Sequence, residues 1–267
     1  MIHRYKNHNI KIYVSTFGEK IINLKNGNPV EVGAARRDKF YYGQKDNTGN
    51  NISEENEFYG ELTGLYWIWK NIKFDKDDLI GFCHYNKALK ITNKQILRFF
   101  NKEKGTKWVA LKESYIQGHP NQNEIDVILS ILKKNYSEYY DTWMKIYDKN
   151  ASGKKCRAAN MFLTSYCEFD KYCKFLFSVL FEMRKQFGNN YRDCDVGMRR
   201  YCAYMGERLL AVYLLTNRCR VLGTDVRYKS WWLRPARKIV KVLKIDKEKK
   251  WYKKLRNRYG YKSSYKN

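Results

Sequence analysis

The chain has 267 residues, 43% apolar and 16% aromatic, with 23 Tyr, seven Cys and only three Pro. That length suffices for one large domain or two small ones with a well-buried core, and the composition excludes wholesale disorder, collagen-like repeats and a disulfide-stapled miniprotein. Charge is the strongest feature: 53 Lys and Arg against 27 Asp and Glu leave +26, which favours a polyanionic partner, either nucleic acid or an anionic membrane face.

Strand and helix patterns alternate along the chain. Residues 10–14 (IKIYV) read as a first strand ending in the loop Ser15-Thr16-Phe17-Gly18. Residues 46–53 (DNTGNNIS) are turn chemistry, followed by a helix with Phe58, Leu62, Leu65, Tyr66 and Trp69 on one face. Buried-strand patterns follow at 79–83 (LIGFC), which ends at His84-Tyr85, and at 108–111 (WVAL). Helical spacing returns at Ile125, Ile128, Ile131 and Leu132, and again through Tyr139, Trp143 and Ile146. Residues 160–163 fit a short strand. An amphipathic helix through Phe169, Tyr172, Leu176, Leu180 and Met183, a helix over about 198–215 and a last strand over 219–226 complete the pattern. This alternation predicts an α/β fold with a mainly parallel central sheet and a ligand crevice beyond the carboxyl ends of the strands.

Near residue 226 the composition turns basic. Residues 227–267 hold 16 basic and 2 acidic residues, with Trp251, Leu255 and Tyr259 interleaved. We expect a domain over 1–226 and a basic, helical, amphipathic tail over 227–267. Such a tail suits an interfacial helix on anionic lipid, RNA binding, or docking on the domain with its charges solvated. No apolar run approaches the ~18 residues of a membrane span, and the start of the chain is too short in apolar residues for a signal peptide. The expected location is therefore cytoplasmic unless a surface docks the protein. The seven cysteines are odd in number and lack any C-x-x-C pair, so reduced thiols are expected and a zinc site is not.

Several familiar chemistries are missing from the sequence: no dinucleotide fingerprint, no phosphate-binding G-x-x-x-x-G-K-[ST], no G-x-S-x-G and no H-E-x-x-H. The candidates that remain each have a bland alternative. Segment 46–53 can present backbone N–H groups and amides to a ligand beside a helix N-terminus, or be a loop capped by Ser53. His84 and Tyr85 fall at the carboxyl edge of a strand, where α/β folds bind ligands, although a lone histidine is often structural. Asp193-Cys194-Asp195 spells the D-x-D carboxylate pair that can hold Mg²⁺ or Mn²⁺ on a diphosphate, or is coincidence. Glu207, beside Arg208 in a helix, is a general base or half of an ion pair.

These residues in this order carry a family resemblance: KIYV-S-T, Val32-Gly33-Ala34-Ala35, the D-N-T-G segment, ELTGLYWIWKN from Glu61, GFCHY ending at Tyr85, a spaced His119 and Asp126, Asn160-Met161-Phe162, and Glu207-Arg208-Leu209-Leu210. Over about residues 10–226 the chain resembles the bacterial capsular and exopolysaccharide glycosyltransferases long catalogued as a domain of unknown function, whose characterised members are galactofuranosyltransferases. The resemblance implies a GT-A-like fold. It also implies transfer of a sugar from a UDP-sugar donor, UDP-galactofuranose in the characterised members, to a lipid-linked glycan at the cytoplasmic membrane face, as in capsule or lipopolysaccharide synthesis. It further implies a donor site drawn from Thr16, Val32, Gly33, Asp46, Thr48, Gly49, Asn51, Glu61, Tyr85 and Asn160, with His84 catalytic. The chain departs from the family pattern at Asn50, usually Asp, at Asn86-Lys87, usually Arg-Arg, and at Ala203, usually Gly.

An inverting transfer needs a carboxylate to take the acceptor proton and a group to stabilise the departing diphosphate. Glu207 is the expected base, with Asp195 as its rival. A divalent ion or basic side chains can serve the diphosphate, and the sequence leaves both open; Lys87, Arg199 and Arg200 are the basic candidates. The competing reading is a basic nucleic-acid-binding protein, in which the charge itself is the function.

Overall fold

The computed structural model describes residues 8–19, 21–24, 27–102, 105–114, 121–147, 157, 159–188 and 199–229. Asp195, His119 and all of the basic segment beyond Lys229 lie outside the described residues.

One sheet organises the chain. Its strands are β1 (Ile10–Thr16), β2 (Gly27–Glu31), β3 (Leu79–His84), β4 (Lys87–Leu89), β5 (Lys107–Leu111), β6 (Phe162–Ser165), β7 (Arg220–Thr224) and β8 (Val226–Tyr228). The main path runs β2-β1-β3-β6-β5-β7. Every pairing along it is parallel except those of β6, which runs against both β3 and β5, so five of the six strands point the same way. The mainly parallel sheet expected from the alternating pattern is therefore present. β4 turns back on β3 and carries β8 on its other side.

The helices are α1 (Asn56–Tyr59), α2 (Leu62–Asn71), α3 (Asn93–Lys102), α4 (Gln122–Asn135), α5 (Ser137–Ile146), α6 (Tyr166–Phe187) and α7 (Tyr201–Thr216). Side chains alternate across a strand, and β3 shows what that does here. Ile80 and Phe82 join a large core with α2 and α4–α7, whereas Leu79 and Cys83 join a smaller core with Ile96 and Phe100 of α3. A strand buried on both faces must read as a continuous apolar run, which is why LIGFC was legible.

Two expectations change. The single helix expected over Phe58 to Trp69 is broken into α1 and α2 at Gly60, whose φ of 54° and ψ of −128° are open only to glycine. The domain boundary expected after residue 226 would cut β8: Ala88 pairs with Arg227 and Lys87 with Tyr228, so the sheet continues through the start of the basic segment.

Candidate active site

Because β1, β2 and β3 are parallel and β6 is antiparallel, Thr16, Val32, His84 and the residues just before β6 share one edge of the sheet. This is the edge where α/β folds place ligands. Val32 donates its N–H to the Thr16 carbonyl at 2.8 Å. The Tyr85 ring packs edge-on against Phe17 at 4.8 Å.

Helix α7 brings the remaining groups. Arg200 precedes its first turn and Glu207 lies seven residues on, so both face the same way. Arg200 Nη2 lies 3.2 Å from Glu61 Oε2, at the start of α2. Two glycines permit this closeness. A Cβ at Gly60 would sit 2.5 Å from Arg200 Nη2, and one at Gly206 would sit 2.8 Å from Leu62 Cδ1 and 3.4 Å from Asn160 Nδ2. Glu207 is thereby held against the start of α2 and the entry to β6. Across the β3–β4 turn, Lys87 pairs with His84.

The electrostatics separate two carboxylates. Burial opposes ionisation of Glu61, but His84 and Arg200 outweigh it and hold its pKa below the ordinary value. Glu207 is pushed up to about 7, first by burial and then by the negative charge of Glu61, against the pull of Lys87, Arg208 and Arg200. His84 is pushed down by burial, with Lys87 and Arg200 adding to that and Glu61 opposing it, so the neutral imidazole is favoured. Paired titratable groups driven apart in this way are the pattern of acid–base sites. Asn160 joins the same group: its side chain hydrogen-bonds Glu61 and helps to lower that pKa, and its backbone hydrogen-bonds His84.

Other expected site residues are placed differently. Asp46 is fully buried, accepting from Gly33 N and Ala34 N at 2.9 Å each and from Ser53 Oγ at 2.5 Å. It fastens the turn after β2 and so shapes the rim from behind. Gly33 at φ 62° needs glycine both for that φ and because a Cβ would lie 2.7 Å from Asn56 Cγ. Ser53 is committed to Asp46 and Ala35 N and does not cap a helix: Ile52 holds the cap position.

Thr48, Gly49 and Asn51 are not brought to His84. Trp67 Nε1 donates to Thr48, Asn50 N donates to Asn71 Oδ1, and the Asn51 side chain closes on Gly49 O and Ser53 N. Trp67 and Asn71 lie six and ten residues beyond Glu61 along α2, an axial rise of about 9 and 15 Å at 1.5 Å per residue. Within this stretch the Asn50 and Ser53 N–H groups are taken by Asn71 and Asn51, and that of Asp46 by the Glu31 carbonyl, so these three are not offered to a ligand. Asp126 is bonded to Gln122 at 2.7 Å on the exposed side of α4. Arg199 is committed to Glu57 at 3.0 Å, which also holds Arg36 at 2.8 Å. Sequence reasoning missed Glu57, Gly60 and Gly206, whose roles are positional; a glycine directly before a charged residue at the head of each helical motif was the only available signal.

Among the described residues no group of three or more His, Cys, Asp or Glu is arranged to hold a metal ion, and no helix is long and apolar enough to cross a membrane.

With this geometry the comparisons take on meaning. A solved structure described as the apo form of the bifunctional glycosyltransferase WbbM superposes with a TM-score of 0.67 at 22% identity, over 83% of this chain and 45% of that one. The fold is thus GT-A-like, and the chain spans less than half the length of that structure. The family model described as "Domain of unknown function (DUF4422)" matches residues 11–109 and 99–218, and the chain belongs to that family. Among curated proteins no relative is matched.

Proposed function

We propose that the chain is an inverting glycosyltransferase that moves galactofuranose from UDP-galactofuranose onto a lipid-linked glycan acceptor, in bacterial capsule, exopolysaccharide or O-antigen synthesis, at the inner face of the cell membrane. The observation that carries this reading is the pair of glutamates at the carboxyl edge of a GT-A-like sheet, one held ionised and one poised near pH 7. The likeness to a bifunctional glycosyltransferase supports the same class of chemistry.

In this mechanism Glu207 accepts the proton of the acceptor hydroxyl as it attacks the anomeric carbon, since a base near neutrality both stays available and takes the proton readily. Negative charge building on the departing diphosphate meets Lys87 and Arg200, the cations that already bias Glu207 and His84. Glu61 holds Arg200 in place. His84 and Asn160, at the same edge, serve donor or acceptor hydroxyls. Thr16, Val32, Gly33 and Tyr85 form the floor of the donor pocket, with Asp46 fixing the Val32–Ala35 turn from behind.

The test is UDP release from UDP-galactofuranose, UDP-galactose, UDP-glucose and UDP-N-acetylglucosamine with a synthetic lipid-linked acceptor. Acceptor-dependent release from the first alone is the expected result. Release from another donor would keep the class and change the sugar. No release from any, together with salt-sensitive binding of random oligonucleotides, would favour the nucleic-acid reading.

A further inference from the structure

We propose that the loop over residues 36–45, after β2, is a prefolded contact for an anionic lipid surface. This rests on the membrane-facing part of the function proposed above and adds to it a surface on the folded domain.

The loop is ordered by a buried charge. Glu31, fully buried, holds Arg37 Nη2 at 2.6 Å through one carboxylate oxygen and accepts the N–H groups of Tyr41 and Tyr42 at 2.6 and 3.0 Å through the other. Arg37 also donates to the Phe17 carbonyl at 2.8 Å, and Tyr42 Oη donates to the Glu19 carbonyl at 2.6 Å. A loop tied this firmly at its base loses little entropy when its tip meets a partner.

The tip is cationic and aromatic. Tyr41 is 39% exposed, Lys39 lies 5.3 Å over its ring, and Lys45 lies 4.1 Å over the Phe40 ring. With Arg36 and Arg37 paired to Glu57 and Glu31, Lys39 and Lys45 outnumber the one remaining acid of the loop, Asp38, so the loop offers outward a small net positive charge beside aromatic rings, the combination that favours a lipid headgroup layer.

Position supplies the second line of argument. Tyr42 lines one groove together with Glu19, Asn23 and Lys229. The Arg227 guanidinium donates to the Asn23 carbonyl, so β8 is pinned to the same flank. Lys229 is the last described residue, and the 38 residues after it hold 14 basic and 2 acidic side chains. The strongly basic segment therefore begins, in sequence, directly after a residue that lines the same groove as this loop. On the loop's other side, Arg36 shares Glu57 with Arg199, the neighbour of Arg200, so loop and candidate active site belong to the same end of the sheet. Contact here would turn that end toward an acceptor held in the bilayer.

The test is sedimentation of the full chain with phosphatidylcholine vesicles containing about 30 mol% phosphatidylglycerol, for the wild type, K39Q/K45Q and F40S/Y41S. The wild type should sediment and be released by about 0.5 M salt. Removing the two charges should weaken partitioning about tenfold or more, and F40S/Y41S should weaken it independently. Both variants should keep the wild-type melting temperature and turnover on a soluble acceptor. Variants that sediment like the wild type overturn the proposal. So does loss of turnover on the soluble acceptor with vesicle binding intact, which would make the loop an acceptor platform. A wild type that ignores anionic vesicles overturns the membrane contact while leaving the transfer reaction to be judged by turnover in solution.

Discussion

Glu61 and Glu207 carry the same functional group, so their different ionisation comes from what surrounds them. Arg200 sits on Glu61, whereas Glu207 meets burial and the charge of Glu61 itself. A base with a pKa of about 7 loses activity below that pH as it protonates, so kcat should fall about tenfold per unit on the acid side. Replacing Glu61 with Gln removes a charge that raises the Glu207 pKa. The acid limb of the kcat–pH profile should therefore move to lower pH, even though the rate drops through the loss of the Arg200 partner. An unmoved limb would mean that the titrating group is not Glu207. Stability gives an independent sign. Glu207 titrates near 7 in the fold and near 4.5 when unperturbed, so the folded state holds a proton that the unfolded chain releases between those values. Stability contributed by this group is present below pH 4.5, falls as pH rises toward 7 and stays lowered above it. Glu207→Gln removes that cost, and its melting temperature at pH 8 should equal or exceed that of the wild type. A structural Glu207–Arg208 ion pair would instead make the variant less stable. His84→Ala should cost turnover far more than melting temperature, and equal loss of both would make His84 a structural residue.

At the level of elements, the site depends on a break in a helix. Gly60 ends α1 in a conformation closed to other residues and leaves room for Arg200. Gly60→Ala should cost about 1–3 kcal/mol from backbone strain, with more if Arg200 cannot move aside. Calorimetric melting checks the stability loss, and turnover should fall by more than the lost folded fraction because Arg200 is displaced. The break was not legible in the sequence, since the apolar residues of α1 and α2 stay in helical phase across it. The strands β3 and β5 read well because they are interior strands with continuous apolar runs, and β1, also interior, because its β-branched and aromatic residues over 10–14 are interrupted only by Lys11. β2 did not read as a strand because it is an edge strand containing Gly27 and Pro29, which an edge tolerates. β4 is three residues long, and α3 has only two buried residues to signal its face. Of the site residues, His84 and Glu207 were legible because each follows or lies within a strongly patterned element. Asp46 drew notice for its chemistry, but its carboxylate is turned inward to two backbone N–H groups and Ser53. Asp46→Ala should therefore lower the melting temperature, at about 1–3 kcal/mol for the buried bonds lost, with turnover falling in step with the folded fraction. Thr48 and Asn50 are close to Asp46 in sequence but bond to Trp67 and Asn71, further along α2 than Glu61, a placement that only the path of α2 reveals.

For the whole molecule, the sheet collects four separate stretches of chain at one edge: the start of α2, the β3–β4 turn, the entry to β6, and the first two turns of α7. No local motif could have announced that Glu61 and Arg200, 139 residues apart, form a pair. The same edge continues through Glu57 and Arg36 into the loop after β2, so the candidate active site and the proposed lipid contact share one end of the fold. Because β8 extends the sheet through Tyr228, a deletion meant to remove only the basic segment should begin after Lys229. A deletion from Arg227 removes two of the three residues pairing with β4 and should lower the melting temperature for that reason alone. The proposed role of Glu207 in taking the acceptor proton is tested most directly by acceptor-dependent UDP release from UDP-galactofuranose by the wild type and by Glu207→Gln at pH 8, with the folded fraction of each checked by melting. Turnover by the wild type and a loss of roughly 10²–10⁴-fold in kcat for the variant, at undiminished stability, are expected. Near-normal turnover by a folded Glu207→Gln would contradict that role.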